Sequence, residues 1–351
     1  MIPEAPLLEV TDLVKHFDLR RSLRSRLSRD PAPRLTAVDG VSFSLGRNQT
    51  LGIVGESGSG KTTLARCLTR LVEPDGGSVV FDGTDVSALE RKELQRVRRR
   101  IQVVFQDPFT SLNPRMTIGA AIAEPLRVHG IASRQEAPAR VVELLDLVGL
   151  AVSVARRFPR ELSGGQRQRV AIARSLAPQP ELLIADEAVS ALDVSIQAQI
   201  LNLLVELTER LGLTMIFISH QLSVIASVAD TVAVMYLGRI VESGPVGLVF
   251  SNPQHPYTAA LLAANPEPVP ERRRREPAIR GDIPSPLEIP SGCRFRTRCT
   301  YVQERCAEVD PPAVQVAPGH SARCLVLPFA PSPGHTISDP GPQLLGEGAE
   351  F

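Results

Sequence analysis

A glycine-rich loop lies between an apolar segment and a helical one, and this arrangement constrains the fold more than any other feature of the chain. The segment Thr50–Val54 is typical of a short buried strand, GESGSGKT follows at 55–62, and TLARCLTRL at 63–71 has apolar residues at helical spacing. The loop matches the pattern G-x-x-x-x-G-K-[ST], in which backbone N–H groups converge on phosphate oxygens at a helix N-terminus. The sequence therefore predicts a phosphate-binding loop in a strand–loop–helix unit.

Lys61 lies at the end of this loop, and it is one of only three lysines in a chain whose 39 basic residues are otherwise arginines. We expect its amine to reach the β- and γ-phosphates of a nucleotide, and the Thr62 hydroxyl to bind Mg²⁺. A chance glycine-rich turn is the alternative, and the strand and helix on either side count against it. The other residues predicted to surround the phosphates are Gly55, Ser57, Gly58, Gly60 and Thr63.

A second candidate site lies at the end of an apolar segment, LLIADE at 182–187. Asp186, at the carboxyl end of the predicted strand, is placed to hold Mg²⁺ directly or through water. Glu187 is placed to take a proton from an attacking water as general base. Acids also occur as simple caps where a helix begins, but the phosphate loop elsewhere in the chain favours the catalytic interpretation.

Short apolar segments alternate with helical ones through most of the chain, for example at 101–105, 182–185 and 214–218. This alternation predicts an α/β fold with a mainly parallel sheet covered on both faces. The block 117–177 is helical apart from a break near 158–163, and we interpret it as a helical subdomain inserted between two strands of that sheet. Residues 231–243 are typical of a β-hairpin.

The charges nearly cancel, with 39 Lys and Arg against 38 Asp and Glu, so composition does not favour a nucleic-acid-binding protein. The N-terminal segment MIPEAPLLEV lacks the basic and apolar regions of a secretory signal. No segment of about 18–20 residues is apolar enough to cross a bilayer. These features predict a cytoplasmic protein, which could still lie against a membrane protein.

The segment LSGGQ at 162–166, followed by RQRVAIARSL, resembles the signature motif of ATP-binding-cassette (ABC) ATPases. Other motifs resembling those of that family stand in the expected order: Gln106 resembles the Q-loop glutamine, SALD at 190–193 the D-loop and His220 the switch histidine. Phe17 lies where the family's adenine-stacking aromatic residue is found. The resemblance covers roughly residues 7–260.

This resemblance implies a P-loop NTPase cassette with a RecA-like core, an antiparallel β-subdomain and a helical subdomain at about 115–177. It also implies that two cassettes enclose ATP head to tail. The signature residues of one subunit would then contact the γ-phosphate bound by the other; they are Ser163, Gly164, Gly165 and Gln166. His220 would contact the γ-phosphate and help to hold Glu187. Gln106 would bind Mg²⁺ or the water, and Phe17 would stack on adenine.

Three longer segments resemble the ATPase subunits of dipeptide and oligopeptide importers, in particular the F-type subunit: FQDPFTSLNPRMTIG at 105–119, DEAVSALDVSIQAQI at 186–200 and NPQHPYTAALL at 252–262. This implies a Mg-dependent ATPase at the cytoplasmic face of the membrane. The expected partners are a second ATPase subunit, identical or different, two transmembrane permease subunits and an extracytoplasmic solute-binding protein, with no nucleic acid. Importers of nickel, glycosides or antimicrobial peptides are alternatives, as is a regulatory ABC ATPase without a transport role.

The C-terminal third differs in composition, because residues 1–244 contain 12 of the 30 prolines and residues 245–351 contain 18. Proline at this density opposes long helices and central strands, so we expect a different kind of structure there. This part also holds four of the five cysteines, Cys293, Cys299, Cys306 and Cys324. Thiolates in a cytosolic protein could bind an iron–sulfur cluster or zinc. The peptide-importer ATPases resemble this region, and in some of them the four cysteines hold a [4Fe–4S] cluster; zinc and unligated thiols remain the alternatives.

We predict a nucleotide-binding domain at 1–265, a cysteine-rich extension at 266–330 and a disordered tail at 331–351. Cys67, in the helix after the phosphate loop, is expected to be a core thiol. The insertion at 18–34 carries five arginines between 20 and 29. We interpret it as a solvated loop, with contact to lipid head groups or to a membrane partner as the alternative.

Overall fold

The structure is a computed structural model that describes residues 5–18, 34–106, 112–190, 192–264 and 281–327. The predicted disordered tail, and the arginine-rich insertion apart from its two ends, lie outside these residues. The described strands are β1 Leu8–Asp18, β2 Arg34–Leu45, β3 Thr50–Val54, β4 Gly76–Phe81, β5 Thr84–Asp85, β6 Ile101–Val104, β7 Leu182–Asp186, β8 Thr214–Ser219, β9 Thr231–Tyr236, β10 Arg239–Pro245, β11 Val314–Ala317 and β12 His320–Ala322. The described α-helices are α1 Lys61–Leu68, α2 Arg91–Arg100, α3 Ile118–Val128, α4 Ala137–Leu147, α5 Gly164–Leu176, α6 Val194–Leu211, α7 Leu222–Val228, α8 Val246–Ser251, α9 Pro256–Ala263 and α10 Arg305–Glu308.

Eight of the described strands form the main sheet, in the order β11-β12-β10-β9-β3-β8-β7-β6. The five strands from β9 to β6 are parallel, which confirms the predicted parallel sheet. The other three strands, β10, β12 and β11, are added to it in antiparallel pairing. β9 and β10 form the predicted hairpin, and the two turn residues Leu237 and Gly238 both have positive φ, as a tight two-residue turn requires.

Both faces of the parallel strands are covered. On β7, Leu182 and Ile184 pack into one hydrophobic cluster with β1, β2, β4 and α1. Their neighbours Leu183 and Ala185 pack into a second cluster on the opposite face, which the helices α3–α9 complete. Because successive side chains of a strand point to opposite faces, a strand with two buried faces must be apolar at every position.

A second sheet of described strands, in the order β2-β1-β4-β5, is antiparallel throughout. Its buried side chains, among them Val10, Val38 and Phe81, pack against Leu64 and Leu68 of α1. This sheet is the antiparallel β-subdomain that the family resemblance implies.

Helices α3, α4 and α5 lie between β6 and β7 in the chain, so the helical block interrupts the parallel sheet as predicted. α3 begins after the N-cap Thr117, whose hydroxyl accepts the Ala120 N–H at 3.3 Å. Its apolar side chains Ile118, Ile122 and Leu126 are fully buried and repeat at one helical turn. None of the helices in the described part of the chain combines the length and apolarity needed to cross a membrane.

Two short strands of the cysteine-rich extension continue the main sheet. β12 pairs with β10, which places Glu242 opposite Ala322 and Ser243 opposite Ser321, and β11 forms the outer edge. Among the described residues from 281 onward, only Arg305–Glu308 is α-helical. The high proline content is therefore accompanied by little helix, as expected. The extension nevertheless contributes two strands to the main sheet; these strands are short and lie at its edge, where nearby proline is tolerated.

Candidate active site

Two glycines of the phosphate loop are required by close contacts with backbone. A Cβ atom at Gly55 would lie 2.2 Å from the carbonyl oxygen of Met235 on β9, and one at Gly60 would lie 2.1 Å from that of Ala37 on β2. Gly60 also has a φ of +103°, a conformation that a side chain disfavours. The loop is thus fitted between β2 and β9, with α1 starting directly after it.

Lys61 points back into the phosphate loop, and its predicted contact with phosphates stays a prediction. Its Nζ donates hydrogen bonds to the carbonyl oxygens of Gly55 and Glu56, at 2.7 and 3.0 Å. The residue is only 4% exposed. Burial lowers the pKa of the Lys61 amine, and the nearby carboxylates of Glu187 and Asp186 oppose that effect.

Two of the predicted magnesium ligands lie side by side. Thr62 Oγ1 donates a hydrogen bond of 3.2 Å to Asp186 Oδ1, where α1 begins and β7 ends. Asp186 is buried, which raises the pKa of its carboxyl group; the charge of Glu187 adds to this, and the Thr62 hydrogen bond opposes it. A hydroxyl and a carboxylate are suitable ligands for Mg²⁺, which keeps several waters and takes its remaining ligands from substrate phosphates. The donor set therefore fits a nucleotide-bound magnesium ion.

The three predicted catalytic residues converge at the end of β7. Gln106 Nε2 donates a hydrogen bond of 2.8 Å to Glu187 Oε2, and His220 Nδ1 lies 3.9 Å from Glu187 Oε1. Glu187 has a φ of +48°, and its N–H donates to the Ile218 carbonyl on β8 at 3.0 Å. A non-glycine residue in this conformation is strained, and such strain is concentrated at functional sites.

The signature segment forms the start of α5. Ser163 is the N-cap: its hydroxyl accepts the Gln166 N–H at 3.3 Å, and Gln166 Oε1 accepts the Ser163 N–H at 3.1 Å. A Cβ atom at Gly165 would lie 2.6 Å from Ile196 Cγ2, so this glycine lets α5 and α6 pack closely. The predicted contact of Ser163, Gly164 and Gly165 with a nucleotide involves a second subunit and stays a prediction.

The remaining predicted site residues are exposed or half-buried. Phe17 pairs with Leu35 in the β1–β2 ladder, and Lys15 Nζ lies 5.4 Å from the centroid of its ring. The residue is 37% exposed, and stacking of its ring on adenine remains a prediction. The others lie in the phosphate loop and the first turn of α1; they are Ser57 and Gly58, both exposed, and Thr63, half-buried.

The surroundings of Glu56, the second residue of the phosphate loop, are not predictable from the sequence motifs. Arg298, from the cysteine-rich extension, donates two hydrogen bonds to its carboxylate, at 2.6 and 3.0 Å. Tyr257 accepts the Glu56 N–H with its hydroxyl oxygen at 2.9 Å. Arg298 lies 242 positions away in sequence, and no motif signals the pairing.

The four cysteines of the extension form no disulfide. Burial raises the pKa of Cys293 and of Cys299 to about 11, and the charges of neighbouring cysteines add to this. The sulfurs of Cys299 and Cys324 each accept a backbone N–H from the residue two positions later, at 3.4 Å. Within the described residues, no group of three or more His, Cys, Asp and Glu side chains is arranged to hold a single metal ion. Cys67 is fully buried, and burial raises its pKa to about 11, as expected for a core thiol.

Comparison with known proteins decides the family. A family model described as ABC transporter matches residues 38–190. The chain is 48% identical over 323 residues to the oligopeptide transport ATP-binding protein AppF of Bacillus subtilis, covering 91% of this chain and 96% of that protein. It is 49% identical over 322 residues to the Brucella ovis protein BOV_A0347, whose name describes a peptide import ATP-binding protein. That match covers 92% of this chain and 98% of the relative. The chain belongs to the ABC transporter ATPases.

A second family model, the oligopeptide/dipeptide transporter C-terminal region, matches residues 241–306 of this ABC ATPase. Among solved structures, the dimeric ATP-binding cassette MJ0796 in a post-hydrolysis state with ADP and Pi aligns with a TM-score of 0.59 and 27% identity, over 68% of this chain and 98% of that one. The cassette cbiO1 of Clostridium perfringens aligns with a TM-score of 0.59 and 29% identity, over 70% and 91%. The cassette fold predicted from the motifs is thereby confirmed, and with it an ATP-binding ATPase.

Proposed function

We propose that this ABC ATPase energises the import of dipeptides or oligopeptides as a peripheral subunit at the cytoplasmic face of the membrane. The observation that carries its ATPase role is the meeting of Glu187, Gln106 and His220 beside the phosphate loop. The names of the relatives and the matched C-terminal region support the choice of peptides. Its partners would be a second ATPase subunit, two permease subunits and an extracytoplasmic solute-binding protein.

In the proposed mechanism, the loop N–H groups and Lys61 bind the β- and γ-phosphates. Thr62, Asp186 and Gln106 would hold Mg²⁺, which when bound neutralises charge on the phosphates. The Glu187 carboxylate accepts a proton from the attacking water, and Gln106 orients that carboxylate through their hydrogen bond. His220 adds a contact to the γ-phosphate.

Closure of a second cassette would complete this site. The N-terminus of α5 offers backbone N–H groups and the Ser163 hydroxyl to an anion. In the proposed dimer these groups bind the γ-phosphate held by the other subunit. ATP binding then closes the pair of subunits, and hydrolysis reopens it.

A groove between the main sheet and the helical subdomain is suited to receive a helix of a permease. It has a volume of about 340 Å³, and its lining includes Phe105, Val128, Arg98 and Glu124. Phe105 and Val128 are 37% and 74% exposed, which leaves apolar surface for a partner. Phe105 directly precedes Gln106, which is hydrogen-bonded to Glu187. Movement of a docked helix against Phe105 would therefore shift Gln106 and, through it, the Glu187 carboxylate.

A [4Fe–4S] cluster held by Cys293, Cys299, Cys306 and Cys324 is the second part of the proposal. Its support is the resemblance of this region to that of the peptide-importer ATPases, together with the backbone N–H donors to the sulfurs of Cys299 and Cys324. A bound cluster would stabilise these thiolates against the burial that raises their pKa values.

Metal analysis tests this part. Anaerobically purified protein is expected to contain about four iron atoms per chain and to show broad visible absorbance that reduction removes. Cys293→Ser should lose both, whereas Cys67→Ser, at a core thiol outside the extension, should keep them. Zinc in place of iron, or no metal at all, would identify one of the two alternatives.

Reconstitution tests the transport function. Co-purification from membranes with two polytopic proteins and a solute-binding protein, and ATP-dependent uptake of a labelled peptide by that complex, are the expected results. Uptake of nickel, a glycoside or an antimicrobial peptide instead would assign another solute of this branch. A failure to co-purify with any polytopic membrane protein would favour a regulatory ATPase, whereas ATPase activity alone does not distinguish the two.

A further inference from the structure

We infer that Arg298 of the cysteine-rich extension is a positioning residue for the phosphate loop, and that the extension thereby sets the affinity for ATP. This inference rests on the proposed nucleotide site and deepens it. Its basis is the ion pair between Arg298 and Glu56, which joins the two parts of the chain at the phosphate-binding loop.

The geometry of this pair is specific. Both terminal nitrogens of the Arg298 guanidinium bond to the two oxygens of the Glu56 carboxylate, at 2.6 and 3.0 Å. The Arg298 side chain is 5% exposed and that of Glu56 is 24% exposed. Paired, charge-assisted hydrogen bonds of this kind fix orientation as well as distance. Because solvent is largely excluded from the guanidinium, the pair differs from an ordinary surface salt bridge.

Every polar group of Glu56 is held by a named partner. Its N–H donates to the Tyr257 hydroxyl at 2.9 Å, its carbonyl oxygen accepts from Lys61 Nζ at 3.0 Å, and its carboxylate is bound by Arg298. Glu56 directly follows Gly55, where the loop leaves β3. Arg298, Tyr257 and Lys61 therefore together fix the start of the loop.

The charge of Glu56 gives the pair a second effect. A carboxylate in a loop that must receive phosphates repels them, and the repulsion increases where water is partly excluded. The guanidinium of Arg298 neutralises that carboxylate at hydrogen-bond distance. Without Arg298, the loop would present an unpaired negative charge to the nucleotide.

The extension holds Arg298 firmly in this position. The Arg298 N–H donates to the Phe295 carbonyl at 3.0 Å, and the Cys293 N–H donates to the Cys306 carbonyl at 2.8 Å. The Phe295 ring packs edge-on against the Tyr236 ring, with 5.3 Å between their centroids. The centroids of the Phe295 and Tyr257 rings are 5.4 Å apart. The turn that carries Arg298 is thus packed into the same core as the end of β9.

Substitution of Arg298 by glutamine tests the inference. In Arg298→Gln we expect the Kd for ATP and the KM to rise about tenfold, the change that about 1.4 kcal/mol produces. The kcat should stay within about twofold of the wild-type value, because Arg298 contacts none of the groups around Glu187. Arg296→Gln is the matched control: Arg296 lies on the same turn, but its Nε donates to the Ser291 carbonyl, away from the loop.

A second variant separates charge from folding. Glu56→Gln combined with Arg298→Gln removes both charges, and the affinity for ATP should return to within about threefold of wild type. Thermal unfolding of each variant shows whether the extension remains folded. An unchanged Kd in Arg298→Gln would overturn the inference. A folded double variant that binds ATP as weakly as Arg298→Gln would overturn the charge effect and support the positioning of the loop by Arg298. Wild-type protein that fails to bind ATP would instead refute the proposed nucleotide site.

Discussion

His320 Nε2 lies 2.8 Å from Glu242 Oε1, and both side chains are almost completely buried between β12 and β10. The Glu242 carboxylate also accepts the backbone N–H groups of Gln254 and His255, at 2.6 and 2.9 Å. A buried carboxylate with three donors is satisfied, but each donor becomes an unpaired buried group if the carboxylate is removed. This one side chain therefore joins the extension, the hairpin and the start of α9.

Glu242→Ala should consequently lower the free energy of unfolding by about 3 kcal/mol. We expect the loss to be accompanied by faster amide hydrogen exchange in β12, because its partner strand loses the anchor. Urea unfolding and hydrogen exchange measure the two effects. Glu288→Ala, at an exposed acid of the same extension, should change the stability by no more than about 0.5 kcal/mol. Equal stabilities of the two variants would show that the buried pair contributes nothing.

Glu187→Gln should retain ATP binding and reduce steady-state turnover by about 100-fold or more. The amide can still bond to Gln106, so the geometry survives, but it cannot accept a proton from water at neutral pH. Nucleotide binding and phosphate release are the two measurements. Glu206→Gln, an exposed acid on α6, is the matched control and should hydrolyse ATP as wild type does. Wild-type turnover in Glu187→Gln would refute the general-base role.

Acid should destabilise the protein through His255. Burial lowers the pKa of His255 from an ordinary 6.5 to about 3 in the folded chain. Between these two values the unfolded chain binds the additional proton, so the free energy of unfolding falls as the pH drops, with a slope that reaches about 1.4 kcal/mol per pH unit well below pH 6.5. His255 Nδ1 accepts the Tyr257 N–H at 3.1 Å as the N-cap of α9, so this nitrogen carries no proton.

His255→Asn tests this prediction, because asparagine is a good N-cap and does not titrate. Unfolding free energies of wild type and variant are compared from about pH 7.5 to about pH 5.5. The stability of the wild type should fall relative to the variant by about 1.4 kcal/mol over this whole range. Parallel curves would mean that another group controls the acid response.

Two glycines of the phosphate loop should respond differently to alanine. Both have positive φ, but a Cβ at Gly60 would lie 2.1 Å from a backbone oxygen, whereas one at Gly58 has nothing within 4 Å. Gly58→Ala should cost about 1–2 kcal/mol of stability from conformation alone. Gly60→Ala should cost clearly more, because β2 must move. Denaturant unfolding measures both, and similar losses would contradict the close approach of loop and β2.

The parts of the site that could be predicted are those encoded locally. The phosphate loop follows from its own spacing, and Glu187 follows from its place after an apolar strand, since parallel strands bring their carboxyl ends to one edge. His220 and Gln106 required the family resemblance, because a single histidine or glutamine carries no pattern. The structure places His220 beside the Glu187 carboxylate, and it also places Gln106 there, which the resemblance did not imply.

What could not be predicted depends on distant pairs. Arg298 and Glu56 are separated by 242 positions, and one arginine among many gives no indication of its partner. The family resemblance implies that Gly165 contacts a phosphate. The structure adds a second reason for a glycine there, because a side chain would collide with Ile196. The strands β11 and β12 could not be predicted from the sequence, because short edge strands in a proline-rich segment lack a clear alternating pattern.

The pairing of β12 with β10 also affects how the protein can be handled. A chain cut after α9 would expose β10 as a bare sheet edge, with unpaired N–H and C=O groups ready to pair with a second molecule. The same cut would uncover the aromatic rings of Tyr236 and Tyr257 where Phe295 now packs. We therefore expect the extension to prevent aggregation of the cassette. A truncated chain should aggregate, and light scattering that increases with protein concentration would measure this.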